Sequence, residues 1–278
     1  MPDSLTDRRI LITGIADENS LALAIARGLK EEGAELVCAG LGPTDHHEGL
    51  SEAGAKYLAS TQAQFQETVR KELGPDTPTV VMDASIDATV EDAAAHLRDQ
   101  ALPLDGFLHA IAMDKTIRRG VAPPIMEVGR DDFLGCLDVS AYSLLSIPRA
   151  FLAHDVLNRG ASIVALSYLG GERTMSHAYR NIGIAKAALE RLSREMAMEL
   201  GRSHAIRVNC VRFSPFSASR AGGAIPDLVA AMEKAEAAAP LGNASAQSLA
   251  YEVAHLMRPD LEVTGEVRHV DGGYHGVA

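Results

Sequence analysis

Short runs of β-branched and other apolar residues alternate along this chain with longer segments in which apolar positions recur every three to four residues. The first run, Arg9–Thr13, reads RILIT, and the segment 20–32 that follows it has Leu21, Ile25 and Leu29 on one helical face. Because side chains repeat every two residues in a strand and every 3.6 in a helix, this pattern predicts a strand followed by a helix.

The same alternation continues to the C-terminal end. Further strands are predicted at 34–38, 79–82, 104–111, 162–166, 206–211 and 266–270, and helices at 47–73, 90–98, 131–156, 179–200, 227–238 and 246–257. Strands that alternate with helices at this spacing predict an α/β fold of the Rossmann type, a doubly wound parallel sheet of about seven strands with helices on both faces. The length of 278 residues suits one large domain spanning 1–278.

Composition and charge exclude several classes of protein. The chain is 47% hydrophobic and 23% charged, and its start, MPDSLTDRR, has no apolar run of the kind found in signal sequences. No stretch approaches the roughly 20 apolar residues of a membrane span, so we expect a soluble, cytoplasmic protein. The formal net charge of −11 disfavours nucleic-acid binding, which depends on Lys and Arg neutralising phosphates.

The cysteines indicate neither disulfides nor a zinc site. Cys38, Cys136 and Cys210 are far apart in the chain and have no paired spacing. We expect buried structural thiols and no metal site.

Ligands of a doubly wound sheet bind at the carboxyl ends of the strands, where the direction of winding switches. Six segments lie at those ends, and they are 14–20, 41–45, 83–85, 110–115, 167–175 and 212–220. Gly14 ends the first predicted strand and Ser20 opens the next helix, a place where backbone N–H groups and the helix dipole favour a pyrophosphate. The strict G-x-G-x-x-G pattern is absent, and the Ser20 hydroxyl suits either a phosphate or a helix N-cap.

The end of the second strand bears on the choice between NAD and NADP. A dinucleotide fold usually places an acidic residue there for the ribose, or a basic residue for a 2′-phosphate. Residues 40–42 (GLG) offer neither, although His46 and His47 follow closely, so the pattern weakly favours NAD. Asp83, after the third strand, suits either a hydrogen bond from the adenine amino group or a turn and helix cap.

A tyrosine and a lysine supply the strongest catalytic candidates. Tyr179 and Lys186 are seven residues apart, or roughly 700° of a helix, so a helix places them on one face two turns apart. There the ammonium is expected to lower the pKa of the phenol and to bind ribose hydroxyls. Both residues also suit an ordinary helix surface, whereas Tyr168 adds a second phenol at a strand end. His109, inside the fourth strand, is more readily a core histidine than a base.

Taken together, these motifs resemble the short-chain dehydrogenase/reductases and, within them, the enoyl-acyl-carrier-protein reductases. The resemblance covers nearly the full length. It rests on TGIADENSLALAIA at 13–26, MDAS at 82–85, HAIA at 109–112, DVSAYS at 138–143, LSYLGGERT at 166–174, YRNIGIAK at 179–186, RVN at 207–209 and GEVRHVDGG at 265–273.

The resemblance implies reduction of the C=C bond of a trans-2-enoyl thioester. Most carbonyl-reducing members of the superfamily have the tyrosine four residues before the lysine, a position held here by Ile182, whereas the enoyl reductases have it seven before, as Tyr179 is. Hydride is then expected to pass from NADH, with NADPH not excluded, to Cβ of the substrate. Tyr179 is expected to hydrogen-bond the enolate oxygen, Lys186 to hold the nicotinamide ribose, and Tyr168 to line the substrate pocket.

Further site residues and partners follow from the same resemblance. The implied cofactor-binding residues are Gly14, Ser20, Leu21, Leu41, Asp83, Ala84, Ile111, Ala112, Lys186, Phe216 and Ala218, and the implied substrate-binding residues are Met113, Asp114, Tyr168 and Tyr179. A substrate-binding loop and helix are expected near 212–238. The expected partners are an acyl thioester, carried on coenzyme A or on an acyl carrier protein, and further copies of the chain in a homotetramer.

Some positions depart from the family pattern. Ser214 and Pro215 replace its usual Gly-Pro pair, Ala218 replaces a threonine that contacts the pyrophosphate, and Asp114 with Lys115 bring charge to a loop that is usually apolar. Two other activities therefore remain open at this stage. One is a reductase of carbonyls or of other activated alkenes, and the other is a nucleotide-binding homologue without catalysis.

Overall fold

The computed structural model describes residues 4–117, 121–175, 179–216 and 227–278. Within these residues seven strands form one sheet, and they are β1 (Arg9–Thr13), β2 (Glu35–Gly40), β3 (Thr79–Val81), β4 (Leu104–His109), β5 (Leu157–Ser167), β6 (Arg207–Phe213) and β7 (Val267–Val270). Their order is β3-β2-β1-β4-β5-β6-β7, and every neighbouring pair is parallel. The predicted doubly wound sheet is confirmed.

Helices cover both faces of the sheet. In the described part of the chain the longer ones are α1 (Leu21–Glu31), α2 (Glu52–Glu72), α3 (Asp87–Asp99), α4 (Arg130–Leu137), α5 (Ser143–Ala153), α6 (Arg180–His204), α7 (Leu228–Ala238) and α8 (Ala246–Met257). Helices α1, α2 and α8 pack on one face, and α3, α5 and α6 on the other. None of these helices combines the length and the apolar character of a membrane-spanning segment.

The alternation of side chains along the strands divides the core into two layers. Ile10 and Ile12 of β1 enter the layer under α1, α2 and α8, whereas Leu11 between them enters the layer under α3, α5 and α6. All three side chains are at most 1% exposed. Each such burial stabilises the fold by about 1.5–3 kcal/mol, so the strand is fixed by apolar contacts on both faces.

The winding of the sheet switches between β1 and β4. The Thr13 hydroxyl donates to Leu108 O at 2.8 Å and accepts from the N–H of Ala110 at 3.1 Å, which joins the two strand ends. Gly14 follows with φ +88°, and a Cβ there would lie 2.2 Å from Ala110 O. Glycine is therefore required where the chain enters the crevice.

One predicted helix is interrupted. The segment 131–156 was expected to form a single helix, but it contains α4, a π-helical turn at Asp138–Tyr142, and α5. Pro148 lies inside α5 and lacks the N–H that a regular helix needs at that position. The wide turn is the local feature that matters for the site, because Ser140 within it contacts Met113 in the loop after β4, and Ser143 just after it contacts His109 at the end of β4.

Candidate active site

The structure places the predicted site residues at the carboxyl ends of the strands. Gly14 follows β1, Ser20 and Leu21 lie at the start of α1, Leu41 follows β2, Asp83 and Ala84 follow β3, Ile111, Ala112, Met113 and Asp114 follow β4, Tyr168 follows β5, and Phe216 follows β6. Strand β4 ends at His109 rather than at 111, so four of these residues belong to a loop. Ala218 lies outside the described residues.

Ser20 closes the loop between β1 and α1. It occupies the N-cap position of α1, but its hydroxyl makes no hydrogen bond to the helix. Instead Oγ accepts from the N–H groups of Ala16 at 2.9 Å and Asp17 at 3.0 Å. Of the two predicted roles of Ser20, the N-cap holds for its position but not for a side-chain hydrogen bond, because the loop N–H groups take the hydroxyl oxygen. The N-terminus of α1 follows the carboxyl end of β1, where a helix start favours an anion.

Asp83 is held on both carboxylate oxygens. Its Oδ1 accepts from the N–H of Ser85 at 2.9 Å and from the Ser85 hydroxyl at 2.6 Å, and its Oδ2 lies 3.2 Å from Nε2 of His47. The carboxylate thus stabilises the turn after β3, which is one of the two roles predicted for Asp83. Its side chain is 20% exposed, so it still borders the crevice.

The loop after β4 is held from two sides. The Nζ of Lys186 donates to Ile111 O at 3.2 Å. The Oγ of Ser140, in the π-helical turn, accepts from Met113 N–H at 2.9 Å and donates to Met113 O at 3.2 Å. Sequence reasoning assigned no role to Ser140, although it belongs to the motif DVSAYS. Its contact with Met113 depends on the wide turn, which brings Ser140 to the loop after β4.

His109 is a core residue. It is fully buried, and its Nε2 lies 2.7 Å from the hydroxyl of Ser143, which itself donates to Val139 O. The imidazole must therefore donate from Nε2 and is neutral. Burial, with a smaller effect of Lys186, lowers the pKa of His109 to about 3, so it is no general base near neutrality.

Tyr179 lies just before α6 rather than inside it. The helix begins at Arg180, and Tyr179 has φ −81° and ψ 46°. The prediction that Tyr179 and Lys186 lie on one face of a continuous helix is therefore wrong by one residue, because the angle per residue holds only from Arg180 onward. Tyr168 fixes the tyrosine instead: its hydroxyl donates to Tyr179 O at 2.7 Å, and the two rings are 5.5 Å apart.

Glycines make room for this pair of phenols. A Cβ at Gly170 would lie 2.3 Å from the Tyr168 hydroxyl, and a Cβ at Gly183 would lie 3.1 Å from the same oxygen and 2.8 Å from Gly170 O. Larger residues at either position would push the Tyr168 ring away from Tyr179. The two rings pack over a small apolar cluster that includes Cys136, Ile182 and Ala185.

Burial dominates the electrostatics of the site. It raises the pKa of Tyr179 well above the usual range, with Cys136 and Asp114 adding smaller effects, and it raises the pKa of Tyr168 as well. The prediction that Lys186 lowers the pKa of Tyr179 is wrong, because burial sets the shift and the smaller effects of Cys136 and Asp114 raise the pKa further. Burial also lowers the pKa of Lys186 from 10.5 to about 8. Tyr179 is thus a neutral hydrogen-bond donor at physiological pH.

A cavity of about 360 Å³ opens beside the phenols. It is lined by Tyr168 and Tyr179, by the segment 170–175, by Ile125 and by the face of α6 that carries Gly183. This volume lies within the range of small-ligand pockets.

A buried ion-pair network lies behind the phenols. Arg212 at the end of β6 donates to Glu190 of α6 through Nε at 2.8 Å and Nη2 at 2.6 Å, and it also pairs with Glu172. The Ser167 hydroxyl donates to the same Glu190 at 2.6 Å. Sequence reasoning missed this network, although an arginine inside a strand that is predicted to be buried signals that a partner is required.

A group near the C-terminal end has the spacing of metal ligands. Ligand atoms of His269, Asp271 and His275 all lie within 4.8 Å of one another. Arg212 Nη1 donates to Nε2 of His269 at 3.3 Å, and Asp271 accepts from Gly273 N–H at 3.1 Å and contacts Nδ1 of His275 at 2.9 Å. Because the arginine takes the Nε2 lone pair, Nδ1 of His269 carries the proton that faces Asp271. Nδ1 of His269 lies 3.5 Å from Asp271 Oδ2 and has no hydrogen-bond partner among the described residues, so one ligand atom of the group is left unsatisfied.

The family model and the most similar sequences all match this chain to reductases of one kind. The family described as enoyl-(acyl carrier protein) reductase matches residues 47–275. The chain is 32% identical to the enoyl-[acyl-carrier-protein] reductase [NADH] FabI of Bacillus subtilis, with 98% of the chain and 97% of that relative covered. It is 31% identical to the FabI of Escherichia coli K12, with 97% and 95% covered.

Solved structures agree with the sequence relatives. The fold is similar to that of the Bacillus cereus enoyl-acyl carrier protein reductase with NADP+ and indole naphthyridinone, at a TM-score of 0.84 and 27% identity, with 100% of both chains covered. It is also similar to the FabI–NADH complex from Alistipes finegoldii, at a TM-score of 0.84 and 28% identity, with 99% of this chain and 90% of that chain covered.

Proposed function

The chain belongs to the enoyl-acyl-carrier-protein reductase family, and from that premise we propose that it reduces the C=C bond of a trans-2-enoyl thioester with NADH. The observation that carries the proposal is the neutral phenol of Tyr179, fixed by Tyr168 and followed seven residues later by the buried Lys186. NADH, when bound, supplies the hydride for the β-carbon of the substrate.

The residues of the chain have separate tasks in this reaction. Negative charge develops on the thioester oxygen, and a protonated Tyr179 stabilises it by donating a hydrogen bond. Tyr168 acts on Tyr179 rather than on the oxygen, because its own hydroxyl is committed to Tyr179 O. Lys186, whose Nζ donates to Ile111 O in the loop after β4, would hold the cofactor ribose.

The residues also fit the cofactor. The close approach of β1 and β4 at Gly14 and the start of α1 provide backbone N–H groups for a pyrophosphate, and Asp83 borders the crevice at the other end. Leu21, Leu41, Ala84, Ala112 and Phe216 would complete the cofactor site. Met113 would line the substrate side, whereas Oδ1 of Asp114 is already used by Thr116 N–H at 2.9 Å and by its hydroxyl at 2.6 Å.

A feature at position 182 disfavours carbonyl reduction. In carbonyl-reducing relatives an acid lies four residues before the lysine, close to where hydride is delivered. Here that position is Ile182, which is fully buried in the apolar cluster with Cys136 and Ala185. Isoleucine has no proton to donate at this position, as carbonyl reduction would require. This supports a reaction in which the oxygen that gains charge lies farther from the carbon that receives the hydride.

Turnover across substrate classes tests the proposal. NADH oxidation should be measured with enoyl thioesters from crotonyl upward, carried on coenzyme A and on an acyl carrier protein, and in parallel with a panel of ketones. We expect turnover of enoyl thioesters and none of ketones. Nucleotide binding without turnover of any chain length would favour the noncatalytic alternative.

We also propose an assembly and a carrier. The family expectation is a cytoplasmic homotetramer that accepts substrate from an acyl carrier protein. The support in this chain is that β7 ends the sheet with half-buried side chains, an edge suited to another copy. Light scattering should give four times the chain mass of 29.5 kDa; a monomer would contradict the assembly.

A further inference from the structure

A second cavity, of about 590 Å³, shares no lining residue with the cavity beside the two phenols. It is lined by α8, by the segment before α8, and by β7 and the turn that follows β7. Three of its residues, Asn243, Glu252 and His269, each have a buried side-chain nitrogen or oxygen without a hydrogen-bond partner among the described residues. Because folded proteins rarely leave such atoms unpaired, this cavity indicates a polar ligand.

We propose that His269, Asp271 and His275 bind a divalent transition-metal ion of the Zn²⁺ class at the wall of this cavity. The group consists of two imidazoles and one carboxylate. Imidazole nitrogens suit Zn²⁺ and its neighbours, whereas Mg²⁺ and Ca²⁺ prefer sites made of oxygen ligands. The expectation of no metal site rests on the spacing of the cysteines, and this group contains none.

The distances between the ligand atoms fit a metal ion. Oδ2 of Asp271 lies 3.5 Å from Nδ1 of His269 and 3.2 Å from Nδ1 of His275. Ligand atoms at about 2.1 Å from a tetrahedral Zn²⁺ are about 3.4 Å from one another. One carboxylate oxygen therefore has the separation from two ring nitrogens that a shared metal ion requires.

Backbone hydrogen bonds hold the ligands in place. The N–H groups of Gly273 and His275 both donate to the carboxylate of Asp271 at 3.1 Å, and Asp271 is 5% exposed. The ring of His275 stacks on that of His269, with centroids 4.0 Å and planes 25° apart. Both Nδ1 atoms thus lie beside the same carboxylate, and little ordering is left for a metal ion to impose.

Hydrogen bonding alone leaves this group incomplete. Nδ1 of His275 donates to Asp271 at 2.9 Å, but the buried Nδ1 of His269 has no hydrogen-bond partner among the described residues. A metal ion can bind this nitrogen once the ring proton moves to Nε2. That move gives up the long contact of 3.3 Å with Arg212, which keeps its two glutamates. Coordination therefore replaces an unpaired buried N–H with a bond.

The same cavity provides acceptors for water on the metal. Three protein ligands leave at least one position of a tetrahedral ion for water, which donates hydrogen bonds. Nδ2 of Asn243 donates to Met232 O at 2.9 Å, so its unpaired Oδ1 is an acceptor. Oε1 of Glu252 is likewise buried and unpaired. These two oxygens indicate donors in the cavity independently of the histidines.

The charges around the cavity also favour a cation. Its lining includes the carboxylates of Asp271 and Glu252 and, among the described residues, neither lysine nor arginine. Arg212, on the other side of His269, pairs with two glutamates. A divalent ion therefore meets negative charge on the cavity side and balanced charge behind it.

Metal binding is measured directly on the full chain, without an affinity tag and after treatment with a chelator. Calorimetric titration with ZnCl₂ should show one saturable site per chain. Mg²⁺ at the same concentration should neither bind there nor displace Zn²⁺. A titration without a saturable Zn²⁺ site, or displacement of Zn²⁺ by Mg²⁺, would overturn the proposed site.

A matched pair of histidine variants locates the ion. His275→Gln removes one ligand from a side chain that is 42% exposed, so the fold should be retained, and it should weaken Zn²⁺ binding at least about tenfold. His96→Gln makes the same change at an exposed position of α3, on the other face of the sheet, and should leave the affinity unchanged. Equal Zn²⁺ affinities of the two variants would place the ion elsewhere and overturn the assignment.

Thermal unfolding gives a second readout, because the ion joins the turn after β7 to the strand itself. At free Zn²⁺ about 100 times the dissociation constant, the melting temperature should rise by about 5 °C in the unmodified chain and in His96→Gln. The rise should be much smaller in His275→Gln at the same concentration. An unmodified chain whose melting temperature ignores Zn²⁺ would contradict the site.

None of these measurements uses a thioester or a nicotinamide. Zinc binding that His275→Gln weakens would therefore support the metal site even in a chain that reduces no enoyl thioester. Turnover of enoyl thioesters by a chain that binds no Zn²⁺ would overturn the metal site and leave the proposed reaction standing.

Discussion

Half-buried Tyr179 and buried Lys186 respond to desolvation in opposite directions. The phenol of Tyr179 holds its proton more tightly, and the ammonium of Lys186 holds its proton less tightly. Both shifts favour the neutral form, as expected for groups removed from water. The site therefore offers a hydrogen-bond donor over the whole physiological range and a lysine whose charge is lost near pH 8.

The shift of Lys186 predicts a pH-dependent stability. Below about pH 8 both folded and unfolded chains hold this proton; between about 8 and 10.5 only the unfolded chain does, so the stability contribution of Lys186 rises with pH in that window. The full rise is on the order of 3 kcal/mol. The free energy of unfolding should be measured in urea for the unmodified protein and for Lys186→Met, at about pH 7 and about pH 9.5. We expect the unmodified protein to gain stability relative to the variant at the higher pH. A constant difference would contradict the shift.

Gly14 gives a second prediction at this scale. Gly14→Ala combines a positive φ with a clash against Ala110 O, and should destabilise the protein by more than about 3 kcal/mol. Gly160 is the matched control, because its φ is +80° but no atom lies within 4 Å of an added Cβ. Gly160→Ala should cost only about 1 kcal/mol. Thermal unfolding of both variants checks the pair, and equal losses would contradict the close approach at Gly14.

The positions of single residues were predictable where a local motif fixes them. Their hydrogen bonds and charges were not predictable where these depend on residues in other parts of the fold. The position of Ser20 at the start of α1 followed from the pattern, but its use by two loop N–H groups did not. The pair Tyr179 and Lys186 was found by spacing, whereas its electrostatics depended on burial that spacing does not measure.

At the scale of elements, Arg212 joins parts of the chain that carry the site. Its guanidinium contacts Glu190 on α6, one turn after Lys186, and Glu172 in the loop that follows Tyr168. Glu190 is 3% exposed, so its charge depends on this arginine. The ends of β5 and β6 and the helix α6 are thereby fixed to one another.

Removing the arginine should be costly. Arg212→Met leaves Glu190 buried without its partner and should lower the free energy of unfolding by about 3–5 kcal/mol. Adding Glu190→Gln to the same chain should recover part of that loss. Arg191→Ala breaks an exposed pair with Glu195 on the same helix and should change stability by less than about 0.5 kcal/mol. Denaturant unfolding measures all three, and similar effects for Arg212 and Arg191 would contradict the role of the network.

Elements with a regular period were predicted well, and irregular ones were not. The helix 246–257 has the predicted bounds. The predicted helix 131–156 contains a π-helical turn whose wider spacing leaves no mark in a pattern read every 3.6 residues. For the same reason the contact of Ser140 with Met113 was not predicted.

At the scale of the whole molecule, the parallel sheet concentrates the chemistry on one edge. The alternation of strands and helices does not predict the order of the strands in the sheet. The candidate residues could still be assigned to the correct edge, because ligands bind at the carboxyl ends of the strands whatever their order. The switch of winding between β1 and β4 then brings the loop after β4 against Lys186. Ala112 of this loop packs against the same apolar cluster as Tyr179.

The most direct test is the rate of NADH oxidation with a trans-2-enoyl thioester by the unmodified protein, by Tyr179→Phe and by the surface control Tyr251→Phe. Tyr251 is 60% exposed on α8, so its loss should leave the rate unchanged. Loss of the Tyr179 hydroxyl should lower kcat by about 10²–10³-fold while NADH binding is retained. A Tyr179→Phe variant that binds NADH and turns over at nearly the unmodified rate would contradict the account.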